Sequence, residues 1–240
     1  AAGVGEVVVC PPAGSNGLPP AIVLAACAIS GADRVFAIGG AGAIAATAFG
    51  TETVPRVDKV VGPGNAYVNE AKRQLNGIIA IDCPAGPSEV LVLADESADA
   101  ERGAYELLAQ AEHDPDAAAV LVTTSADLLG RVNAALMQVV PELPRRTIVA
   151  SAFRSSGALL LASDEKEMID FAAAYAPEHL ALFTRDPRAM LPRIRNAGSV
   201  CLGDATSVAF GDYMPGANDV LPDATLARTY NGLSTLDFIR

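Results

Sequence analysis

Short apolar runs rich in β-branched residues alternate along the chain with segments whose apolar residues recur three and four positions apart. The runs predict strands and the segments predict helices, for example over residues 22–28 and 107–111. Because this alternation is typical of mostly parallel sheets covered by helices on both faces, we expect an α/β protein. Nine strands are predicted, at residues 7–10, 34–38, 57–61, 78–81, 90–93, 118–123, 158–161, 180–183 and 199–202.

Turn-forming residues are concentrated at positions 83–88, Cys-Pro-Ala-Gly-Pro-Ser, and predict a domain boundary. We expect a first domain over residues 1–84 and a second over residues 85–240. The chain enters a predicted strand soon after its first residue, and its last four residues contain neither a cap nor a turn signal. These features lead us to expect a fragment.

Composition narrows the functions that the 240-residue chain can have. The formal net charge is −11 and no basic run is present, so nucleic acid is not an expected partner. No secretory signal and no apolar run of membrane-spanning length are visible, so we expect no membrane association and a cytoplasmic location. The four cysteines are scattered and form no CxxC pair, which favours buried thiols in a reducing compartment.

The chain contains two histidines, and each directly follows a glutamate. Gln110 and His113 are three positions apart at the end of a predicted helix, so we expect them to project from one face. An amide oxygen and an imidazole in that arrangement can hold a zinc ion. The alternative is a frayed helix end before Pro115, with His113 placed favourably against the helix dipole.

Glu178 and His179 lie between Pro177, which ends the preceding helix, and the predicted strand at residues 180–183. Adjacent residues there point in different directions, so adjacency alone does not predict a hydrogen bond between them. They can serve two roles around one substrate, a carboxylate that activates water and an imidazole that moves protons. The alternative is a solvated polar turn.

Glycine-rich loops offer candidate cofactor sites. Gly40, Gly42 and Ala45 fit the loose G-x-G-x-x-G/A dinucleotide pattern, with Asp58 near the expected position of a ribose-binding acid. The loop at residues 61–67 also joins a strand to a helix and suits a phosphate or a cofactor amide. A further polar loop at residues 210–218 contains Asp212, which can complete a metal site. Ordinary turn chemistry remains the alternative for each of these loops.

Taken in order, these segments resemble the histidinol dehydrogenase family over essentially all 240 residues. The matching runs are Val61-Gly62-Pro63-Gly64-Asn65, Ala85-Gly86-Pro87-Ser88-Glu89, Gln110-Ala111-Glu112-His113, Pro177-Glu178-His179-Leu180, Gly211-Asp212-Tyr213, Val220-Leu221-Pro222 and Gly232-Leu233-Ser234. The resemblance implies two Rossmann-like three-layer α/β/α domains, with the cofactor on the side of the first domain and the zinc and catalytic residues in the second.

The resemblance also implies an activity, the NAD-dependent oxidation of L-histidinol to L-histidine in two steps through an aldehyde. By this resemblance, zinc is held by Gln110, His113 and Asp212, which also contact the substrate. A fourth ligand, a histidine, comes from the partner subunit of a homodimer. Zinc mainly orients the imidazole and amine of the substrate.

The remaining roles are implied in the same way. His179 takes protons in both steps and contacts the substrate, and Glu178 activates the water that hydrates the aldehyde. Ser88 matches a substrate contact and Asn65 matches an NAD contact.

Three positions depart from the family pattern. Gly42 replaces a glutamine that contacts NAD, although it stays a candidate cofactor-binding residue with Asn65. Asp219 replaces an active-site histidine, and Asp223 replaces a threonine. Neither the family's N-terminal portion nor its C-terminal zinc-ligating histidine lies within these 240 residues. Two alternatives therefore remain, a related enzyme that oxidises another small alcohol and an inactive binding or assembly protein.

Overall fold

The computed structural model describes residues 2–213, 216 and 218–239, except for the side chain of Asp212. The chain divides into two compact units, one formed by Ala1–Ala85 with Leu233–Arg240 and the other by Gly86–Gly232. The domain boundary expected between residues 84 and 85 stays a prediction. Among the described residues, no helix is long and apolar enough to cross a lipid bilayer.

The second unit contains five strands and five α-helices within its described part. The bounds of the first unit's elements are Val8–Val9 (β1), Ala21–Ser30 (α1), Arg34–Val35 (β2), Gly40–Phe49 (α2), Lys59–Val60 (β3), Ala66–Leu75 (α3) and Ala80–Ile81 (β4). Those of the second are Glu89–Ala94 (β5), Ala100–Ala111 (α4), Ala118–Thr123 (β6), Ala126–Val139 (α5), Arg146–Ser156 (α6), Gly157–Leu161 (β7), Glu165–Tyr175 (α7), His179–Phe183 (β8), Pro187–Met190 (α8) and Ser199–Leu202 (β9).

The sheet of the second unit is parallel throughout, with the order β7-β6-β5-β8-β9. β5 and β8 consist entirely of buried residues, which explains why they read as continuous apolar runs. The predicted α/β fold with parallel sheets is confirmed, and each of the nine predicted strands has a counterpart. The strands of the second unit match their predicted ranges most closely.

Alternate residues of the central strands face two separate apolar cores. Val90 and Val92 pack with α4, α5 and α6 on one face. Leu91 and Leu93 pack with α7 and α8 on the other face. Each large aliphatic side chain buried in this way stabilises the fold by about 1.5 to 3 kcal/mol. The second unit is therefore a three-layer α/β/α sandwich.

One crossover creates the position of the candidate site. After β7 the chain returns through α7 and inserts β8 on the other side of β5, so the register pairs Val90 with His179. α7 ends at Tyr175, where Ala176 takes a left-handed conformation with φ of 52°. Pro177 cannot continue a helix, as the sequence predicted. The amino ends of β5 and β8 therefore lie side by side.

The first unit contains two short parallel strand pairs, β1 with β2 and β3 with β4. Its candidate cofactor loop precedes α3, whose first turn is capped by the side chain of Asn65. Lys72 of α3 is 1% exposed, pairs with Asp82 and donates to the carbonyl oxygen of Gly62 at 2.9 Å. Asp82 in turn accepts the N–H of Gly62 at 2.8 Å. A buried ion pair therefore holds this loop at both backbone groups of one glycine.

The Lys72→Met variant tests this arrangement. Removing the cation leaves the Asp82 carboxylate buried without its partner, so we expect a loss of about 3 to 5 kcal/mol in the free energy of unfolding. Urea denaturation followed by circular dichroism measures the change. Arg73→Met is the matched control, because Arg73 forms an exposed pair with Glu70 and should change the unfolding midpoint little. Equal losses in the two variants would contradict the assignment.

Gly198, just before β9, allows a close backbone approach at the start of β8. A Cβ atom added there would lie 2.6 Å from the carbonyl oxygen of Glu178 and 3.2 Å from Cδ of Pro222. Gly198→Ala should therefore lower the free energy of unfolding by about 1 to 3 kcal/mol through overpacking. Gly130→Ala is the control, because Gly130 lies inside α5 with open space around it and should gain about 0.5 to 1 kcal/mol. A neutral Gly198→Ala variant would show that the backbone can shift without cost.

Candidate catalytic site

Glu178 and His179 stand at the amino end of β8 and are 6% and 9% exposed. The alternative interpretation of this pair as a solvated polar turn is therefore wrong. His179 Nδ1 lies 3.5 Å from Oε2 of Glu178. Being neighbours in the sequence does not by itself bring these side chains together. A third residue contacts and orients both of them.

That residue is Glu89, the first residue of β5. Its N–H donates to Oε2 of Glu178 at 2.9 Å, and the N–H of Glu178 donates back to Oε1 of Glu89 at 3.2 Å. The hydroxyl of Tyr175, the last residue of α7, lies close enough to the Glu89 carboxylate to favour its ionised form. Glu89 is 8% exposed. The two glutamates thus form a reciprocal pair of buried hydrogen bonds across β5 and β8.

The imidazole of His179 is oriented by the same residue. Its Nδ1 lies 3.2 Å from the carbonyl oxygen of Glu89. Because a carbonyl oxygen only accepts, Nδ1 carries the hydrogen in this contact. The neutral ring then has its lone pair on Nε2, so the atom that can accept a proton is the one not engaged with Glu89.

Burial and charge shift the protonation of this cluster. Burial raises the pKa of Glu89 to about 6, and the charges of Glu178 and Asp223 act in the same direction, against the lowering bonds from Glu178 and Tyr175. Burial lowers the pKa of His179, but the hydrogen bond and charge of Glu178, the Glu89 carbonyl and the charge of Asp219 outweigh it, so the pKa is raised. The pKa of the Tyr175 hydroxyl is raised by burial and by the charge of Glu89.

A second buried carboxylate, Glu106, links α4 to the segment that precedes Asp212. It is 3% exposed, and Oε1 accepts the N–H of Val208 at 2.8 Å. Burial raises its pKa against bonds from Val208 and Ser207 and the charge of His179. Glu106 lies one helical turn before Gln110, and Val208 begins the short 3₁₀ helix Val208–Asp212. Two of the segments that carry predicted zinc ligands are therefore joined directly.

The predicted zinc ligands occupy different environments. Gln110 lies in the last turn of α4 and is 3% exposed. α4 ends at Ala111, so His113 follows the helix instead of lying on its face, and its side chain is exposed. The prediction that both residues belong to one helix face is corrected in this respect, and the helix end before Pro115 is observed. The N–H of His113 donates to the carbonyl oxygen of Gln110 at 3.2 Å.

The side chain of Asp212 lies outside the described part of the chain, so its predicted role as a zinc ligand stays a prediction. Among the described residues, no group of three or more His, Cys, Asp or Glu side chains is arranged to hold a metal ion. Gln110 is not of these residue types, and the predicted set of Gln110, His113 and Asp212 is therefore not tested by that observation.

The remaining predicted contacts are distributed over both units. Ser88 immediately precedes β5 and is half-buried, and its carbonyl oxygen accepts the N–H of Ala118 at 3.1 Å. Oδ1 of Asn65 accepts the N–H groups of Tyr67 and Val68, both at 3.1 Å. Gly42 lies in the first turn of α2 and is exposed. Their substrate and cofactor roles stay predictions.

Sequence reasoning missed Glu89, Tyr175 and Glu106 as members of the site. Glu89 was visible as a glutamate that immediately precedes the apolar run at residues 90–93, where burial on both faces is expected. Glu106 was visible as a carboxylate inside a helix whose neighbours Leu107 and Leu108 are apolar. For both glutamates the signal was a charged residue at a position that the hydrophobic pattern buries.

Comparison with known proteins identifies the relatives of this chain. Residues 1–240 match the sequence profile of the family described as histidinol dehydrogenase. The chain is 48% identical over 239 residues to a histidinol dehydrogenase of Methanothermobacter thermautotrophicus, covering 100% of this chain and 56% of that protein. It is 49% identical over 237 residues to one of Pseudomonas savastanoi pv. phaseolicola, covering 99% and 53%.

A solved structure agrees with the sequence comparisons. The crystal structure of histidinol dehydrogenase from Elizabethkingia anophelis superposes with a TM-score of 0.95 at 38% identity, covering 99% of this chain and 55% of that one. This chain therefore spans about half the length of the relatives that it matches. On the family profile, the sequence identities and the shared fold, the chain belongs to the histidinol dehydrogenase family.

Proposed function

We propose that this protein catalyses the two-step, NAD-linked oxidation of L-histidinol to L-histidine in histidine biosynthesis, with zinc as a metal cofactor. The observation that carries the proposal is the buried pair Glu178–His179, in a chain that belongs to the family whose motif it matches. A buried carboxylate beside an imidazole with a defined tautomer is the arrangement that general acid–base catalysis requires.

His179 is proposed as the proton acceptor. With Nδ1–H held by the Glu89 carbonyl, Nε2 can take the proton of the alcohol when its carbinol carbon is oxidised. The same nitrogen can take a proton again when the aldehyde hydrate is oxidised in the second step. Burial in a water-poor environment strengthens the interactions that orient the ring.

Glu178 is proposed to activate the water that hydrates the aldehyde. Its Oε2 accepts the N–H of Glu89 and lies 3.5 Å from His179 Nδ1, so one carboxylate oxygen is anchored. An anchored carboxylate presents its remaining lone pairs in a fixed direction, which favours the abstraction of a proton from a positioned water.

Zinc suits the donor set of Gln110, His113 and Asp212, which supplies an amide oxygen, an imidazole nitrogen and a carboxylate oxygen. The bond from Val208 to Glu106 supports this assignment, because it joins the segment leading to Asp212 to the helix that carries Gln110. Zinc, when bound, is a Lewis acid that orients the substrate's imidazole and amine. A histidine of the partner subunit completes the set in the proposed homodimer.

NAD suits the glycine-rich loops of the first unit. The backbone of Gly62 in the loop at residues 62–65 is held by Lys72 and Asp82, and Asn65 caps the first turn of α3. A preorganised loop at a helix N-terminus suits a dinucleotide phosphate. Asn65 and Gly42 are the proposed cofactor contacts, and NAD, when bound, accepts the hydride from the substrate carbon. Ser88 is proposed to contact L-histidinol, and the cytoplasm is the proposed location.

A second candidate, the oxidation of another small alcohol, is favoured by one observation. Asp219, which stands where the resemblance implies a histidine, is close enough for its charge to raise the pKa of His179. A carboxylate in place of an imidazole near the proton acceptor changes which substrate groups are favoured there.

Turnover of histidinol separates these candidates. We expect the wild-type protein with zinc, NAD and L-histidinol to form two NADH per histidine, measured by absorbance and by product analysis. His179→Gln should reduce kcat by about 10²- to 10⁴-fold because it removes the proton acceptor. Glu142→Gln, an exposed change in the same unit and outside the proposed site, is the control with the expected wild-type rate. Turnover of another alcohol without turnover of histidinol would favour the second candidate, and no zinc uptake would favour an inactive protein.

The pH dependence of kcat/KM tests the protonation of His179. The neutral ring accepts the proton, and its pKa is raised above 6.5, so activity should rise with pH through a midpoint above 6.5 and then level off. Asp219→Asn should move this midpoint to lower pH because it removes a charge that raises the pKa. Asp116→Asn, an exposed change elsewhere in the second unit, should leave the midpoint unchanged. A midpoint that does not move in Asp219→Asn would argue against His179 as the titrating base.

A further inference from the structure

Glu89 contacts both members of the proposed catalytic pair with its main chain. Its N–H donates to the Glu178 carboxylate at 2.9 Å, and its carbonyl oxygen accepts from Nδ1 of His179 at 3.2 Å. The main-chain N–H and carbonyl of this one residue therefore set the direction of the Glu178 carboxylate and the tautomer of the His179 imidazole. Any movement of β5 at this residue moves both orientations together.

The side chain of Glu89 fixes the turn from which the pair projects. Its carboxylate accepts the Glu178 N–H after the turn, and the Tyr175 hydroxyl before the turn lies close enough to lower the pKa of Glu89. Between them lies Ala176, whose φ of 52° is uncommon for a residue with a side chain. Such conformations persist where surrounding contacts hold them in place. The Glu89 carboxylate closes the Tyr175–Glu178 turn from inside the protein.

We propose that Glu89, anchored by the Tyr175 hydroxyl, is a positioning residue that holds Glu178 and His179 in their reactive orientation. The inference extends the proposed function by adding two residues to its site. It rests on that function for its effect on turnover, whereas its effect on the geometry of the pair does not require turnover.

Electrostatics distinguish this role from ordinary structural packing. Glu89 faces Glu178, Asp223, the Tyr175 hydroxyl and His179, and it is buried. Its pKa is raised from 4.5 to about 6, so the folded protein favours the protonated form more than the unfolded chain does. The group therefore lowers stability increasingly as the pH rises from about 4.5 to about 6, and the loss persists above that range. Retaining such a carboxylate is expected where function requires it.

Two substitutions separate the hydrogen-bond acceptor from the charge. Glu89→Gln keeps an oxygen that can accept the Glu178 N–H but removes the charge, and Tyr175 can accept from the new amide. Glu89→Met has a similar length and removes both the acceptor and the charge. Glu142→Gln and Glu142→Met are the matched controls, because Glu142 is exposed in the same unit.

The two-histidine composition permits a readout that does not depend on activity. In ¹⁵N-histidine-labelled protein, we expect the wild-type His179 to show the Nδ1–H tautomer, with the exposed His113 as an internal reference. Glu89→Met keeps the main-chain carbonyl, so the Nδ1–H tautomer should persist, but loss of the acceptor for the Glu178 N–H should shift the ring ¹⁵N resonances of His179 and reduce kcat at least tenfold with little change in KM for NAD. Glu89→Gln should keep the wild-type His179 resonances and stay within a few fold of the wild-type kcat. At pH 8 it should unfold at a higher urea concentration than wild type, since it removes the buried charge.

A wild-type His179 spectrum and kcat in Glu89→Met would overturn the proposal, as would Glu89→Gln and Glu89→Met behaving alike. If Glu89→Met does not fold, Tyr175→Phe provides the test, because it keeps the ring stacked on Phe171 and removes the anchoring hydroxyl. It should shift the His179 ring resonances in the same direction to a smaller extent, and unchanged resonances would overturn the proposal. If histidinol is not oxidised but the His179 resonances respond as described, the proposed substrate fails while the positioning role stands.

Discussion

The pairing of β5 with β8 is the interaction on which the candidate site depends. Val90 pairs with His179 across these central strands. This pairing brings together Glu89 and Glu178, which are 89 positions apart in the sequence. Both strands are fully buried, so their register is fixed by the two apolar cores that alternate residues fill. A slip by one residue would exchange the faces of every side chain. The reciprocal bonds between Glu89 and Glu178 exist because that slip is so unfavourable.

Most of the fold could be predicted from the sequence because its signals are local. The strands of the second unit are apolar runs, and in the helices between them apolar residues recur three and four positions apart. The sequence therefore predicted the alternation of strands and helices. The very short strands of the first unit, such as Val8–Val9, were predicted in position but too long. A residue counts as part of a strand only where a partner strand lies at hydrogen-bonding distance. Apolar composition alone does not specify how many residues of a run are paired in this way.

The site was only partly predictable, for a related reason. Glu178 and His179 were selected by their context and by family resemblance, but their burial and contact depend on a strand 89 positions earlier. Glu89 and Tyr175 meet through the crossover that places β8 beside β5, which no local pattern contains. The exposure of His113 against the burial of Gln110 depends on where α4 ends, and element ends are the least predictable part of a helix.

The location of the pair at the amino edge of the sheet has a chemical consequence. In open α/β sheets ligands usually bind at the carboxyl ends of the strands, where helix N-termini gather and favour anions such as phosphate. Helices that connect parallel strands run in the opposite direction, so their C-termini gather at the amino edge, as α7 does before Glu178. The partial negative charge of helix C-termini favours a protonated imidazole and disfavours an ionised carboxylate. The raised pKa values of His179 and Glu89 have the same directions. An edge of this kind suits residues that accept and hold protons better than residues that bind phosphate. This agrees with the acid–base roles proposed for Glu178 and His179, and with candidate phosphate-binding loops that lie elsewhere in the chain.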